Sequence, residues 1–182
     1  MSTWMVVEDE PGIYEVLLAM FELWGIEGAA FVDGEEAVAW IDDIDKGGDS
    51  RDPSELPELA LLDIRLPGNI SGAMVGARLR RSPFLKDIAI VLITAYKLSA
   101  DEEKEVLSES GADLLLYKPL PKFHELKRIL EDVISSRRAK MNAARAVTRT
   151  LTTSKANAKP VGNAGDAKSV EPIRKTPPKQ DK

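Results

Sequence analysis

Acid, hydroxyl and ammonium side chains stand where apolar runs stop. Glu8, Asp9 and Glu10 follow WMVV, Asp63 follows LALL, Thr94 and Ala95 follow IAIVLI, and Lys118 and Pro119 follow LLLY. Two or three carboxylates with no cysteine and no nearby histidine make a hard oxygen site. Such a set suits Mg²⁺, which keeps several waters and takes few protein carboxylates. A lysine adds a point positive charge and a threonine a hydroxyl, the donors wanted around a phosphoryl group. A carboxylate is also a nucleophile able to carry an aspartyl-phosphate. These residue types fit in-line phosphoryl transfer onto Asp63, provided that one fold gathers them. Each residue also has a plainer use. Asp63 could cap a turn, Glu10 could favour a helix N-terminus, Thr94 could be an ordinary strand-end hydroxyl and Lys118 a surface lysine.

The elements that must do the gathering are legible from periodicity. TWMVV (3–7) reads as a buried strand. Residues 13–24 read as a helix with Val16, Leu17, Met20, Phe21 and Trp24 on one stripe, stopped by Gly25. GAAFV (28–32) is a second strand, and residues 35–44 a helix with Ala37, Val38, Trp40, Ile41 and Ile44 inward. LALLD (59–63), IAIVLI (88–93) and DLLLY (113–117) supply three more strands. Helices are expected over 72–81 and 100–110, the latter stopped by Gly111, and a last one from near Pro121. The polar, Gly/Pro-rich stretch 42–58 reads as a long loop. Five β-then-α units predict an α/β fold, a parallel sheet with helices on both faces. In such a sheet ligands sit beyond the carboxyl ends of the strands, where the polar residues above fall.

Composition bounds the rest. The absence of cysteine excludes disulfides and thiol chemistry and suits a reducing compartment. No apolar run reaches the ~20 residues of a membrane span, and MSTWMVVEDE lacks the basic start of a signal peptide. A cytoplasmic protein without membrane contact is expected. The net charge of −5 splits into −14 over residues 1–136 and +9 over residues 137–182. Residues 137–150 can extend the last helix through Met141, Ala144 and Val147 or Thr148, whereas 151–182 reads as a disordered basic tail. That tail lacks aromatic interleaving and any helix-turn-helix pattern, which argues against nucleic acid as partner. The single histidine, His124, reads as a surface residue without a phosphohistidine role.

In this order VVEDE, LLDIRLPG, ITAY, GAD and YKP resemble the receiver domain of two-component response regulators, over roughly residues 3–136. The resemblance implies a flavodoxin-like (βα)5 three-layer sandwich with sheet order 2-1-3-4-5. By position, Glu8 and Asp9 match the acidic pair that holds Mg²⁺, Asp63 the phosphoacceptor and Arg65 the residue whose backbone carbonyl completes the metal shell. Thr94, followed by Ala95, matches the switch hydroxyl, Lys118 the phosphate-binding lysine, and Pro119 a cis-proline candidate. The implied function is that of a stand-alone receiver rather than an enzyme. A partner histidine kinase or phosphotransfer protein would phosphorylate it on Asp63 with Mg²⁺, and it would signal to a downstream protein target, a homodimer being left open. Three features depart from the family: Leu115 stands where an aromatic switch residue is usual, the 42–58 stretch is long, and PGNISG is a residue longer than the common turn. Leu115 keeps open a phosphorylation-independent pseudo-receiver. A phosphohydrolase is disfavoured, because Arg65 occupies the place where a second Asp would act as general acid.

Overall fold

The computed structural model describes residues 2–47 and 52–156. Strand β1 (Ser2–Val7) is followed by α1 (Pro11–Trp24), β2 (Ile26–Phe31) and α2 (Gly34–Gly47). Strand β3 (Pro57–Asp63) leads to α3 (Gly72–Arg81), β4 (Ala89–Thr94) to α4 (Ala100–Ser110), and β5 (Leu114–Tyr117) to α5 (Phe123–Ala156). All strand pairings are parallel and the order is β2-β1-β3-β4-β5. This is the flavodoxin-like arrangement. A compact unit ends at Ala146, and a second begins at Val147. Residues 157–182, most of the stretch expected to be disordered, lie outside the described residues. Among the described residues no helix is long and apolar enough to cross a membrane.

The sheet has a core on each face because side chains alternate along each strand. Met5, Val7, Ala60, Leu62, Ile90 and Leu92 face one way, against Ile41 and Ile44 of α2 and Val75 and Leu79 of α3. Trp4, Val6, Leu59, Leu61, Val91 and Ile93 face the other, against Leu17 and Phe21 of α1 and Leu126 and Leu130 of α5. The three central strands are buried along almost their whole length, whereas β2, at the edge, is only half covered.

Two of the boundaries that differ from the sequence reading do so for evident physical reasons. Strand β2 starts at Ile26 rather than Gly28, because Gly25 ends α1 in the left-handed region (φ 71°) and its successor pairs at once with Ser2. Helix α2 takes in the first part of the expected 42–58 loop, running to Gly47. Its polar last turn is held by α3: Arg78 bonds Asp42 and Asp45 at 2.6 Å each, and the buried Ser82 hydroxyl donates to Asp45. Acids that look solvated in sequence are thus helix-pairing groups.

Candidate functional site

The carboxyl edge of the sheet is built by four adjacent strands, β1, β3, β4 and β5. The register pairs Val7 with Leu62, Asp63 with Ile93 and Thr94 with Tyr117, so the residues that follow each strand emerge side by side. Glu8 is fully buried, Asp63 is 5% and Thr94 1% exposed, while Asp9 is open to solvent. One carboxylate oxygen from each of Glu8, Asp9 and Asp63 lies within 4.8 Å of the other two. Lys118 reaches into this group from the end of β5, its ammonium 2.9 Å from Glu8 Oε2, 3.1 Å from Glu8 Oε1 and in contact with Asp63 Oδ2. The following bond, Lys118–Pro119, is cis.

Electrostatics explains how such a cluster stays folded. Burial pulls the Lys118 pKa down, but its bonds to Asp63 and Glu8 outweigh that, and the net shift is upward. The ammonium is therefore held charged between two acids. Burial pushes the Glu8 carboxyl above its usual range, more than the bonds from Lys118 and the Glu10 amide pull it down, and the charge on Asp63 adds to the rise. Glu8 Oε2 is close to the ammonium yet lacks a hydrogen bond of proper geometry. A buried acceptor left in that state, beside two further carboxylates, fits a hard cation. The acidic trio therefore passes the test for Mg²⁺ on its own chemistry.

Backbone donors fix the rest. The Arg65 amide donates to Asp63 Oδ1 at 2.8 Å, and the Tyr96 amide to Thr94 Oγ1 at 3.1 Å. Above them the Arg65 guanidinium lies 3.7 Å from the centre of the half-exposed Tyr96 ring, joining the loops after β3 and β4. The sequence reading singled out Arg65 for its carbonyl and as a departure from the hydrolase pattern, and did not single out the Tyr96 side chain. Their contact joins residues 31 positions apart, which no local pattern reports. It also missed Glu35 of α2, whose Oε1 accepts from the Asn69 amide and anchors the long turn after Asp63. Leu115, at the position of the expected aromatic, packs against the core.

Gly72 is a further positioning residue. Its amide donates to the Ile64 carbonyl at 3.2 Å, and a Cβ there would meet the Asp63 carbonyl oxygen at 2.0 Å. Backbone cannot yield as a side-chain tip can. Gly72→Ala is expected to cost about 1–3 kcal/mol, the range for overpacking a tight contact. Urea unfolding checks this; a loss below about 0.5 kcal/mol would show that α3 retracts freely.

Comparison with known proteins places this geometry. The response regulator receiver domain pattern matches residues 4–131. The polar-differentiation response regulator DivK of Brucella anthropi is 30% identical over 131 residues, covering 70% of this chain and 95% of that protein. The phosphate regulon transcriptional regulatory protein PhoB of Pseudomonas aeruginosa is 32% identical over 119 residues, which cover 65% of this chain but only 45% of PhoB. Among solved structures, the receiver domain of the sensor histidine kinase PA1611 from Pseudomonas aeruginosa PAO1 is 27% identical with a TM-score of 0.58. The match covers 74% of this chain and 98% of that one, and that structure has a magnesium ion coordinated in its active-site cleft.

Proposed function

This chain belongs to the response regulator receiver domain family, and we propose that it accepts a phosphoryl group on Asp63 from the phosphohistidine of a histidine kinase or phosphotransfer protein. Receiver domains are signalling proteins, which supports a phosphoacceptor role. The observation that carries the reading is the buried ammonium of Lys118 bridging Glu8 and Asp63, with the Thr94 hydroxyl at the same sheet edge.

Each residue then has a task. The Asp63 carboxylate attacks phosphorus in line; a P–O bond forms as the P–N bond breaks, and its electron pair returns to the imidazole nitrogen. The Arg65 amide keeps Asp63 aimed by holding Oδ1. Lys118 passes from the carboxylate to the phosphoryl oxygens, and Thr94 donates its hydroxyl to the same group. Glu8, Asp9, Asp63 and the Arg65 backbone carbonyl would hold Mg²⁺, which when bound neutralises charge on the phosphoryl oxygens. The phosphorylated site gains charge and acceptor oxygens, which bias the adjoining loops and pass the signal on by contact with a downstream protein.

Incubation with acetyl phosphate and Mg²⁺, read by intact mass, tests this. One labile phosphoryl adduct is expected, and a chelator should abolish it. No adduct in folded protein, from acetyl phosphate or from a phosphorylated kinase, would favour a second reading, a phosphorylation-independent binding module. Leu115, which puts no aromatic at the usual switch position, is the feature on that side.

The Arg65–Tyr96 contact should slow loss of the phosphoryl group by restricting water at Asp63. A cation–π contact at such a site is worth about 0.5–1 kcal/mol. Tyr96→Ala is therefore expected to shorten adduct lifetime about two- to fivefold. An unchanged decay rate would remove the contact from the mechanism.

A further inference from the structure

Three backbone amides in the loop between β4 and α4 donate to side chains. Tyr96 donates to Thr94 Oγ1 within the loop, and Ser99 to Glu102 Oε2 in the capping box of α4. Leu98 instead donates to the hydroxyl of Tyr117, on β5, at 3.3 Å. That hydroxyl in turn donates to Glu103 Oε1, in the first turn of α4, at 2.5 Å. A single side chain from the neighbouring strand thus grips both the loop and the start of the helix. The bond to Glu103 raises the Tyr117 pKa, so the hydroxyl keeps its proton at neutral pH and remains a donor.

The position of Tyr117 gives the grip its meaning. It pairs with Thr94 in the sheet register, and it directly precedes Lys118, whose amide donates to the Thr94 carbonyl at 2.8 Å. The two groups that would meet a phosphoryl oxygen are therefore one residue along and one strand across from it. We infer that Tyr117 is a positioning residue that ties residues 95–99 and the first turn of α4 to the strand end bearing Lys118, so that rearrangement at Thr94 reaches α4 through this hydroxyl. The inference rests on Asp63 being the phosphoacceptor. When a phosphoryl oxygen draws the Thr94 hydroxyl toward Asp63, the loop behind it moves. Leu98 cannot follow without pulling on Tyr117, and Tyr117 holds Glu103.

Hydrogen exchange on the full chain, with and without Mg²⁺ and acetyl phosphate, tests this, with adduct formation followed by intact mass. Tyr117→Phe and Glu103→Ala break the same bond from its two ends, and neither residue touches the reacting atoms. Both variants should form the adduct as the wild type does. Both should exchange about two- to tenfold faster over residues 95–103 at rest, the worth of one net hydrogen bond. Both should also lose the phosphorylation-dependent change in exchange over α4, whereas Glu103→Gln, which keeps the acceptor oxygen, should retain it. A phosphorylation response in α4 that survives in Tyr117→Phe, or one lost equally in Glu103→Gln, would overturn the inference. A wild type that forms no adduct, from acetyl phosphate or from a phosphorylated kinase, would instead sink the phosphoacceptor reading and the coupling with it; faster resting exchange in the variants would then still register the tether alone.

Discussion

Asp63→Asn is expected to abolish the acetyl-phosphate adduct outright while leaving the fold intact. The amide is nearly isosteric, so its oxygen can still accept from the Arg65 amide, and Lys118 keeps Glu8 as partner. What disappears is the anionic oxygen that attacks phosphorus, together with one carboxylate of the acidic trio. Intact mass of wild type and variant side by side, with circular dichroism to establish folding, reads the difference. An adduct that persisted in Asp63→Asn would place the phosphoryl group on another residue. The exposed Asp9 would then be the next to examine, because it shares the cluster but lacks the contact with Lys118.

The second large effect lies at the opposite, amino-terminal edge of the sheet. The Arg80 guanidinium on α3 donates to the carbonyls of Gly111 (2.9 Å), Lys86 (2.8 Å) and Ile88 (2.7 Å) and to Asp113 Oδ2 (3.0 Å). Asp113 also accepts from the Ile90 amide at 3.0 Å and lies 3.4 Å from Arg137 of α5. One planar fork therefore closes the loops that lead into β4 and β5. Burial, and then the like charge of Arg137, lower the Arg80 pKa to about 10 against the pull of Asp113, which still leaves it charged at neutral pH. Arg80→Ala leaves the partly buried Asp113 without this partner and three carbonyls without this donor. A loss of about 1.5–3 kcal/mol is expected, the range for losing hydrogen bonds to a charged group. Against a total stability of about 5–15 kcal/mol, that is a large share. Arg80→Lys should recover little, because an ammonium cannot serve the fork's four acceptors together. Urea unfolding decides it; a loss under about 1 kcal/mol would mean that water or Arg137 takes over.

The same region shows how far local pattern reaches. In GAD (111–113) the glycine was legible as a helix stop, and Gly111 does close α4 in the left-handed region (φ 65°). The aspartate carried no such signal. Its role depends on Arg80 and Arg137, 33 and 24 residues away, and pairings at that distance leave no periodic trace in the chain.

The strands, their burial and the polar residues at their ends follow from the sequence by itself. Apolar runs that are continuous rather than alternating have to be covered on both faces, and a carboxylate ending such a run has to surface where the strand does. Five such units therefore determined the sheet and the edge at which Glu8, Asp63, Thr94 and Lys118 meet. Only the tertiary structure decided how that edge is held. Lys118 resting on both acids, Arg65 over Tyr96, Glu35 anchoring the turn after Asp63, and Tyr117 gripping α4 are contacts between side chains brought together by strand register and helix packing. Residue type permits each of them, and register and helix packing select which form.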